Sequence, residues 1–279
     1  MAQAPTEETL DRPGGIRIFF RSWNPAGKPR AIVVINHGLN SHGGQYLWTG
    51  EQLADKGFSV YAIDMRGRGK STGERFYVDD IAEYVGDLAA LIKLAKSREP
   101  SLPVFLLGHS AGGVVGCTYA LDNQAELAGF ICESFAFRVY APAFVLAILK
   151  GLSYIAPKLP VLKLKMDDFT RDPKALAALK ADPLTLNETQ PVKTVAALVR
   201  ATERMGREFP TIRLPVFILH GTKDKATVPS GSQFFYETVG SKDKTLKFYE
   251  GHFHDLLNDI GKEGVMADIV SWVEKRSPA

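Results

Sequence analysis

The sequence predicts an α/β fold in which a mostly parallel central sheet, flanked by helices, carries an inserted helical cap. Short aliphatic and β-branched runs alternate with longer segments of helical period, which is the pattern of such a sheet. The alternation stops once, for about eighty residues, in a stretch where helix fits and strand does not. The 279 residues, 45% hydrophobic and 23% charged, have the composition of an ordinary globular protein.

The strands are predicted from their apolar runs and one helix from its period. The strand runs comprise residues 16–23, 31–36, 59–63, 104–107, 129–132, 216–219 and 245–249. Residues 79–96 carry apolar side chains three or four positions apart, which is the spacing of an amphipathic helix.

The break in the alternation divides the chain into two regions. The pattern ends at Glu133 and resumes near Pro215, and the residues between are rich in Leu, Ala, Lys and Pro. We therefore predict an α/β core formed by residues 1–133 and 208–279, and a helical cap, or lid, formed by residues 134–207.

Charge and composition exclude several classes of function. Lys and Arg number 34 and Asp and Glu 31, so the net charge is +3, and no basic stripe with interleaved aromatics predicts binding to nucleic acid. No cysteine or histidine spacing suggests a metal, and no cofactor motif is complete. The two cysteines, Cys117 and Cys132, lie in hydrophobic stretches and are expected to be buried thiols.

The N-terminal segment and the apolar runs bear on location. Residues 1–15 are polar and acidic, without the positive start and apolar run of a secretory signal. The best apolar stretch, residues 141–149, is far shorter than the about 20 residues that a membrane span needs. We therefore expect a cytoplasmic protein, and the sequence leaves its oligomeric state open.

Ser110 is the predicted nucleophile. It lies at the centre of Gly-His-Ser-Ala-Gly, residues 108–112, which follow a buried strand and precede a helix of small residues. A G-x-S-x-G pattern in that context is typical of a nucleophile elbow, a strained turn that exposes the serine hydroxyl above the sheet. Gly108 and Gly112 are expected there because a larger side chain would collide across the turn.

Asp224 is the predicted acid. A serine hydroxyl needs a histidine to accept its proton and a carboxylate to orient that histidine. Asp224 follows the strand run 216–219, at the edge of the sheet where folds of this class gather functional groups. The alternative is that Asp224 shapes a turn with its neighbour Lys225.

Two histidines, His252 and His254, compete for the role of general base. Both follow the last predicted strand within one loop. His252 comes directly after Gly251, in the turn itself, whereas His254 stands at the start of the next helical segment, where the loop has had room to return over the sheet. We predict His254 and keep His252 as the alternative.

Backbone amides are predicted to stabilise the oxyanion that forms in the reaction. The loop Asn36-His-Gly-Leu follows a strand, at the position from which elbow enzymes donate one N–H, and the residue after the nucleophile donates the other. Leu39 and Ala111 are the predicted donors. His37 and Gly38 in the same loop are candidate substrate contacts.

These motifs resemble the monoacylglycerol lipase and lysophospholipase branch of the α/β-hydrolases, of the serine aminopeptidase S33 or hydrolase-4 type. The similarity runs over most of the chain. The matching stretches are Leu102-Pro-Val-Phe-Leu-Leu-Gly-His-Ser, Asp64-Met-Arg-Gly-Arg-Gly-Lys-Ser, Ala181-Asp-Pro-Leu, His220-Gly-Thr-Lys-Asp and Asp243-Lys-Thr-Leu-Lys-Phe-Tyr-Glu-Gly-His-Phe-His. The family's base is the final histidine of the last pattern, which favours His254.

The resemblance implies a helical cap over a hydrophobic acyl tunnel and an ester substrate with one long or bulky apolar part. The front of the cap is strongly apolar, and Phe137, Phe144 and Leu149 are the candidate substrate contacts there. Lysines such as Lys163 and Lys165 would let a basic, amphipathic cap rest on an anionic lipid surface. The alternative is that the apolar residues only pack the cap against the core.

Some positions depart from the family pattern. Ala111 stands where the elbow usually has methionine, which leaves the backbone donor intact and widens the space beside the nucleophile. Ser41 and Gln45 stand where members commonly carry a Glu and an Arg that help to bind the glycerol hydroxyls. We keep both as candidate substrate contacts and expect a less polar alcohol group to be accepted.

The sequence thus predicts a serine carboxylic-ester hydrolase that acts on lipid-like or bulky apolar esters through Ser110, His254, Asp224 and an acyl-enzyme, without cofactor or metal. One alternative is a general carboxylesterase for small or aromatic esters. Cleavage of amide or carbon–carbon bonds would use the same residues. An alternative of another class is a protein that keeps the fold as a ligand receptor without catalysis.

Overall fold

Strands and helices alternate along residues 4–278, the part of the chain that the structure, a computed structural model, describes. The strands are β1 (Thr6–Arg12), β2 (Ile16–Trp23), β3 (Ala31–Asn36), β4 (Phe58–Ile63), β5 (Val104–His109), β6 (Gly129–Glu133), β7 (Pro160–Leu162), β8 (Gln190–Pro191), β9 (Val216–Gly221) and β10 (Lys244–Tyr249). The helices are α1 (Leu47–Asp55), α2 (Ile81–Arg98), α3 (Ala111–Asn123), α4 (Ala143–Ile155), α5 (Pro173–Ala181), α6 (Val192–Glu208), α7 (Pro229–Thr238) and α8 (Lys262–Glu274).

The main sheet has eight strands in the order β1-β2-β4-β3-β5-β6-β9-β10. β2 is antiparallel to β1 and β4, whereas β4, β3, β5, β6, β9 and β10 are parallel to one another. The predicted fold class is therefore confirmed. Because parallel strands end at the same edge, the loops after β3, β5, β9 and β10 meet there.

Helices cover both faces of the sheet. Every residue of β3, β4 and β5 is buried, which explains why these strands read as continuous apolar runs and not as alternating ones. One face packs on a core that includes Leu88 of α2 and Met205 of α6. The other packs on a core that includes Leu53 of α1 and Trp272 of α8.

The first strand was missed by the sequence prediction, which treated residues 1–15 only as a polar segment. β1 pairs with β2 along its whole length, from Thr6 opposite Ser22 to Arg12 opposite Ile16. It is an edge strand whose residues are exposed or only partly buried, so it carries no apolar alternation. Residues 1–3 and 279 of the predicted core lie outside the described part of the chain.

The predicted cap corresponds to the chain between β6 and β9. It contains α4, α5 and α6, but the expectation that it has no strand was wrong, since β7 and β8 form a short antiparallel pair. These strands have only three and two residues, too few to produce a period in the sequence. α6 packs against both α4 and the core helix α3, so the predicted boundary at residue 207 falls within a helix shared by the two regions.

Two further expectations concern the cysteines and membrane spans. Cys117 and Cys132 are free and buried, as predicted, and burial raises the pKa of both thiols. Among residues 4–278, no helix combines the length and the hydropathy that crossing a membrane requires.

Candidate active site

The predicted nucleophile, Ser110, occupies a strained turn between β5 and α3. Its φ is 54° and its ψ −119°, in a region that L-residues rarely adopt. A Cβ on Gly108 would lie 2.7 Å from the carbonyl oxygen of Gly112, and a Cβ on Gly112 would overlap the carbonyl oxygens of Asn36 and His37. Glycine is therefore required at both positions, and the turn holds Ser110 directly beside the end of β3.

The carboxylate of Asp224 contacts His254. Nδ1–H of His254 donates to Oδ2 of Asp224 at 2.7 Å, although the two residues are thirty positions apart in the chain. Oδ1 of Asp224 accepts the backbone N–H groups of Ala226 and Thr227 at 2.8 and 2.9 Å. The Thr227 hydroxyl also donates to Oδ2, at 2.8 Å.

A second histidine, His220, reaches the same carboxylate. Its Nε2 lies 3.0 Å from Oδ2 of Asp224, and its Nδ1 is 2.7 Å from the Ser232 hydroxyl. Burial raises the pKa of Asp224, but His254 and His220 outweigh burial and hold that pKa well below its usual value. The carboxylate therefore stays ionised. Sequence reasoning missed this contact, although His220 stands four residues before Asp224 at the end of β9.

The structure brings His254, and not His252, to Asp224 and to the cavity that Ser110 lines. The His254 ring makes an edge contact with Phe169, with ring centroids 4.9 Å apart. His252 faces Asp259 instead, with its Nδ1 3.8 Å from Oδ2. This geometry fits His254 as the base and leaves His252 without a path to Ser110.

The loop after β3 crosses directly over the nucleophile. A Cβ on Gly38 would lie 2.9 Å from Cβ of Ser110, so glycine allows the backbone to pass there. Leu39 and Ala111, the two predicted amide donors, line the cavity together with Ser110. This arrangement suits the backbone N–H groups of an oxyanion hole.

The cavity above Ser110 has a volume of about 710 Å³ and is mostly apolar. That volume is within the usual range of about 300–1,000 Å³ for small-molecule sites. Its walls come largely from the predicted cap. The aliphatic side chains that α4 and α6 contribute include Val145, Leu146, Leu149, Val195, Leu198 and Val199.

Phe137 and Leu149 are the two predicted substrate contacts that line this cavity. Phe144 does not line it, because it lies on the outer face of α4 and is 67% exposed. The sequence showed that α4 is apolar but not which of its faces turns inward, so it did not show that Phe144 lies outside the cavity wall.

The predicted substrate contacts in the loop after β3 bind other residues of the protein and do not face the cavity. His37 is fully buried, its Nε2 accepts the backbone N–H of Met65 at 2.9 Å, and its Nδ1–H donates to the Gly38 carbonyl. Ser41 is buried beside the Tyr46 hydroxyl. Gln45 donates to Oδ2 of Asp182 at 3.0 Å. None of these residues, nor Gly38, lines the cavity.

Comparison with known proteins gives a consistent picture. Residues 27–261 match the family model described as serine aminopeptidase, S33. The chain is 33% identical over 271 residues to the monoacylglycerol lipase of Mycolicibacterium smegmatis, covering 96% of each chain. The crystal structure of Paleococcus ferrophilus monoacylglycerol lipase superposes with a TM-score of 0.84 at 31% identity, covering 93% of this chain and 99% of that one. A soluble variant of the Saccharomyces cerevisiae monoglyceride lipase, in complex with a substrate analog, has the same fold, with a TM-score of 0.90 at 20% identity over 99% and 96% of the two chains.

A buried group of His109, Glu133 and Asp255 lies beside His254. Their nitrogen and oxygen atoms come within 4.8 Å of one another, and within the described chain this is the set of side chains that could offer ligands to a metal ion. His109 Nδ1, Glu133 Oε2 and Asp255 Oδ1 have no hydrogen-bond partner there. Burial, and the charge of His254, lower the pKa of His109 to about 3, so His109 is neutral.

The two acids of this group both have raised pKa values. Burial raises the pKa of Glu133, and the Asp255 carboxylate raises it further. Burial also raises the pKa of Asp255 to about 6, with Asp259 adding to the effect and the Asn258 side chain opposing it. Each carboxyl group therefore keeps its proton to a higher pH than it would in water.

Replacing Asp255 with Asn should stabilise the protein more at about pH 8 than at about pH 4. The folded state binds a proton here that the unfolded state releases, so the free energy of unfolding falls as pH rises from about 4 to about 6, by at most about 3 kcal/mol. Urea unfolding of wild type and Asp255→Asn at both pH values measures the difference. Asp11→Asn, at an exposed position of β1, is the control. Equal effects of Asp255→Asn at both pH values would contradict the raised pKa of Asp255 in the folded state.

Proposed function

The chain belongs to the serine aminopeptidase S33 family of α/β-hydrolases and is a carboxylic-ester hydrolase of the lipase and esterase type, and from this premise we propose that it hydrolyses esters of a single long acyl chain, monoacylglycerols among them. One observation carries the proposal. Ser110 and the His254 that contacts Asp224 line the same apolar cavity, whose walls suit one acyl chain.

In the proposed mechanism His254 removes the proton of the Ser110 hydroxyl, and the hydroxyl oxygen attacks the ester carbonyl. Asp224, ionised because of its lowered pKa, holds Nδ1–H of His254 and stabilises the imidazolium. The N–H groups of Leu39 and Ala111 bind the oxyanion. His254 then donates its proton to the departing alcohol and activates the water that releases the fatty acid.

We expect weak selection on the alcohol side of the ester. Gln45 is bound to Asp182 and Ser41 is buried beside Tyr46, so neither side chain is free to bind glycerol hydroxyls. Buried polar groups that match a substrate hydroxyl are what give strong discrimination between alcohols. The acyl side, which meets the aliphatic wall of α4 and α6, then determines most of the specificity.

A lipid surface is the proposed source of substrate. The outer face of α4 presents Phe144, Ile148 and Ile155, which are 67%, 61% and 83% exposed, at positions that share one side of a helix. Lys163 and Lys165 are exposed nearby and line the cavity. An apolar helix face with adjacent cations is suited to a membrane interface that contains anionic lipid.

Replacing Ser110 or His254 with Ala should each lower kcat on a p-nitrophenyl ester by at least about 10⁴-fold, since the two groups act as a unit. His252→Ala is the matched control and should keep most of the activity, because His252 contacts neither Asp224 nor the cavity. Thermal unfolding checks that each variant folds. Activity in Ser110→Ala, or an inactive His252→Ala beside an active His254→Ala, would contradict the proposed roles. Failure of the wild type to react with a fluorophosphonate probe would favour the ligand-receptor alternative.

Replacing Leu149 with Trp should shorten the usable acyl cavity. We expect kcat/KM for long-chain monoacylglycerols to fall by about tenfold or more, because displacing two methylene groups from apolar contact costs about 1.6 kcal/mol. Rates on p-nitrophenyl acetate should change less than about twofold. Ala147→Trp, two positions away on the exposed face of α4, is the control. Equal losses on long and short esters would contradict an acyl site at Leu149.

The double variant Ile148→Asp/Ile155→Asp should lower binding to vesicles that contain phosphatidylserine, by about tenfold or more, since it places two charges on the proposed contact face. Co-sedimentation with the vesicles measures the binding. Phe248→Asp, at a partly exposed apolar position of the edge strand β10, is the control and should bind as the wild type does. Unchanged binding of the double variant would show that α4 does not contact the lipid.

A further inference from the structure

A fully buried arginine, Arg68, lies close to the loop after β3, in the turn that follows β4. Its guanidinium group is 0% exposed and forms an ion pair with Glu188, from the segment between α5 and β8. It also donates to Oε1 of Gln190 at 2.7 Å and to the Tyr84 hydroxyl at 3.2 Å. A buried charge is retained only where partners compensate it, so these contacts form a specific arrangement and not a surface pair.

The same carboxylate holds the backbone of the loop after β3. Oε1 of Glu188 accepts the N–H of Asn40 at 2.9 Å, in addition to the donors from Arg68 and Gln190. Gln190 also reaches the Asn40 side chain, with Nε2 3.3 Å from Oδ1. Asn40 has a φ of 52°, a left-handed conformation that asparagine adopts more readily than most residues.

Asn40 directly follows Leu39, the proposed amide donor. On the other side of Leu39, Gly38 packs on Ser110 and the His37 ring accepts the N–H of Met65. The peptide that carries the Leu39 N–H is thus held on one side by the core and on the other by Glu188. An oxyanion donor must lie about 2.7–3.1 Å from the oxyanion, so a small shift of this peptide removes its effect.

We propose that Glu188, held in place by Arg68, is a positioning residue for the Leu39 N–H donor of the oxyanion hole. The inference rests on the proposed function and deepens it. Because Glu188 comes from the segment between β6 and β9, it makes the oxyanion hole depend on the position of the cap, which also forms the acyl cavity. The ion pair itself supplies charge balance, and the Glu188 oxygen supplies the contact with Asn40.

Two double variants separate these roles. Arg68→Met/Glu188→Gln and Arg68→Met/Glu188→Met both remove the buried charges together, so neither leaves an uncompensated ion. They differ in the side chain at residue 188, because only the first variant keeps a side-chain oxygen that can accept the Asn40 N–H. The first should keep kcat within about threefold of wild type, whereas the second should lose about 10–100-fold in kcat with KM little changed, less than the about 10²–10³ for a lost donor.

Transition-state affinity gives a second readout. The rate of inactivation by a fluorophosphonate, whose phosphoryl oxygen enters the oxyanion hole and gains negative charge as the serine attacks, should fall in Arg68→Met/Glu188→Met in proportion to kcat. Asp87→Asn removes another buried carboxylate that pairs with arginines, Arg12 and Arg66, away from the cavity. It controls for lost stability, and it should lower Tm without lowering kcat or the inactivation rate.

Equal kcat values for the two double variants would overturn the inference. A loss of kcat that follows the loss of Tm in all variants, Asp87→Asn included, would also overturn it. If Arg68→Met/Glu188→Met does not fold, Arg68→Met/Glu188→Leu, which also lacks the accepting oxygen, takes its place. Equal kcat values and inactivation rates for that variant and Arg68→Met/Glu188→Gln would also overturn the inference. Failure of the proposed function is seen separately, as ester hydrolysis that persists in Ser110→Ala.

Discussion

No side chain fits at Gly112, and the arrangement of the site depends on that constraint. A Cβ there would overlap the last carbonyl oxygens of β3 and its following loop, so α3 begins directly against the end of the neighbouring strand. The Asn36 side chain adds a hydrogen bond to the Gly112 carbonyl at 3.1 Å. This contact brings Ser110, the N–H of Ala111 and the loop that carries Leu39 to one place, so the sheet itself sets the geometry of the proposed reaction centre.

Two parts of the chain form the site around that centre. The edge of the sheet presents Ser110, Asp224 and His254, and the acid is held ionised by hydrogen bonds from two histidines, a threonine hydroxyl and two backbone amides. The segment between β6 and β9 forms most of the apolar walls of the cavity that Ser110 lines. Glu188 connects the two parts, since it extends from the cap region to the backbone beside Leu39.

Local sequence patterns predicted much of this arrangement, because a strand, a glycine turn and a helix in succession describe the elbow without distant contacts. Glu188 and Arg68 were missed because their contact joins residues that are far apart in the chain. His220 was missed because the sequence does not show which way a side chain at the end of a strand points. β1 was missed because an exposed edge strand needs no apolar alternation. The sequence could not separate Phe144 from Leu149 because α4 is apolar on both faces, and only the packing on α6 shows that Leu149 faces inward.

The central claim is that Ser110 carries the acyl chain during turnover. Mass spectrometry of protein quenched within the first turnovers of a long-chain p-nitrophenyl ester tests it most directly, together with the size of the p-nitrophenol burst. We expect a burst approaching one product per protein and an acyl adduct on the peptide that contains Ser110. An adduct on another residue, or steady turnover with neither burst nor adduct under conditions where deacylation is slow, would contradict it.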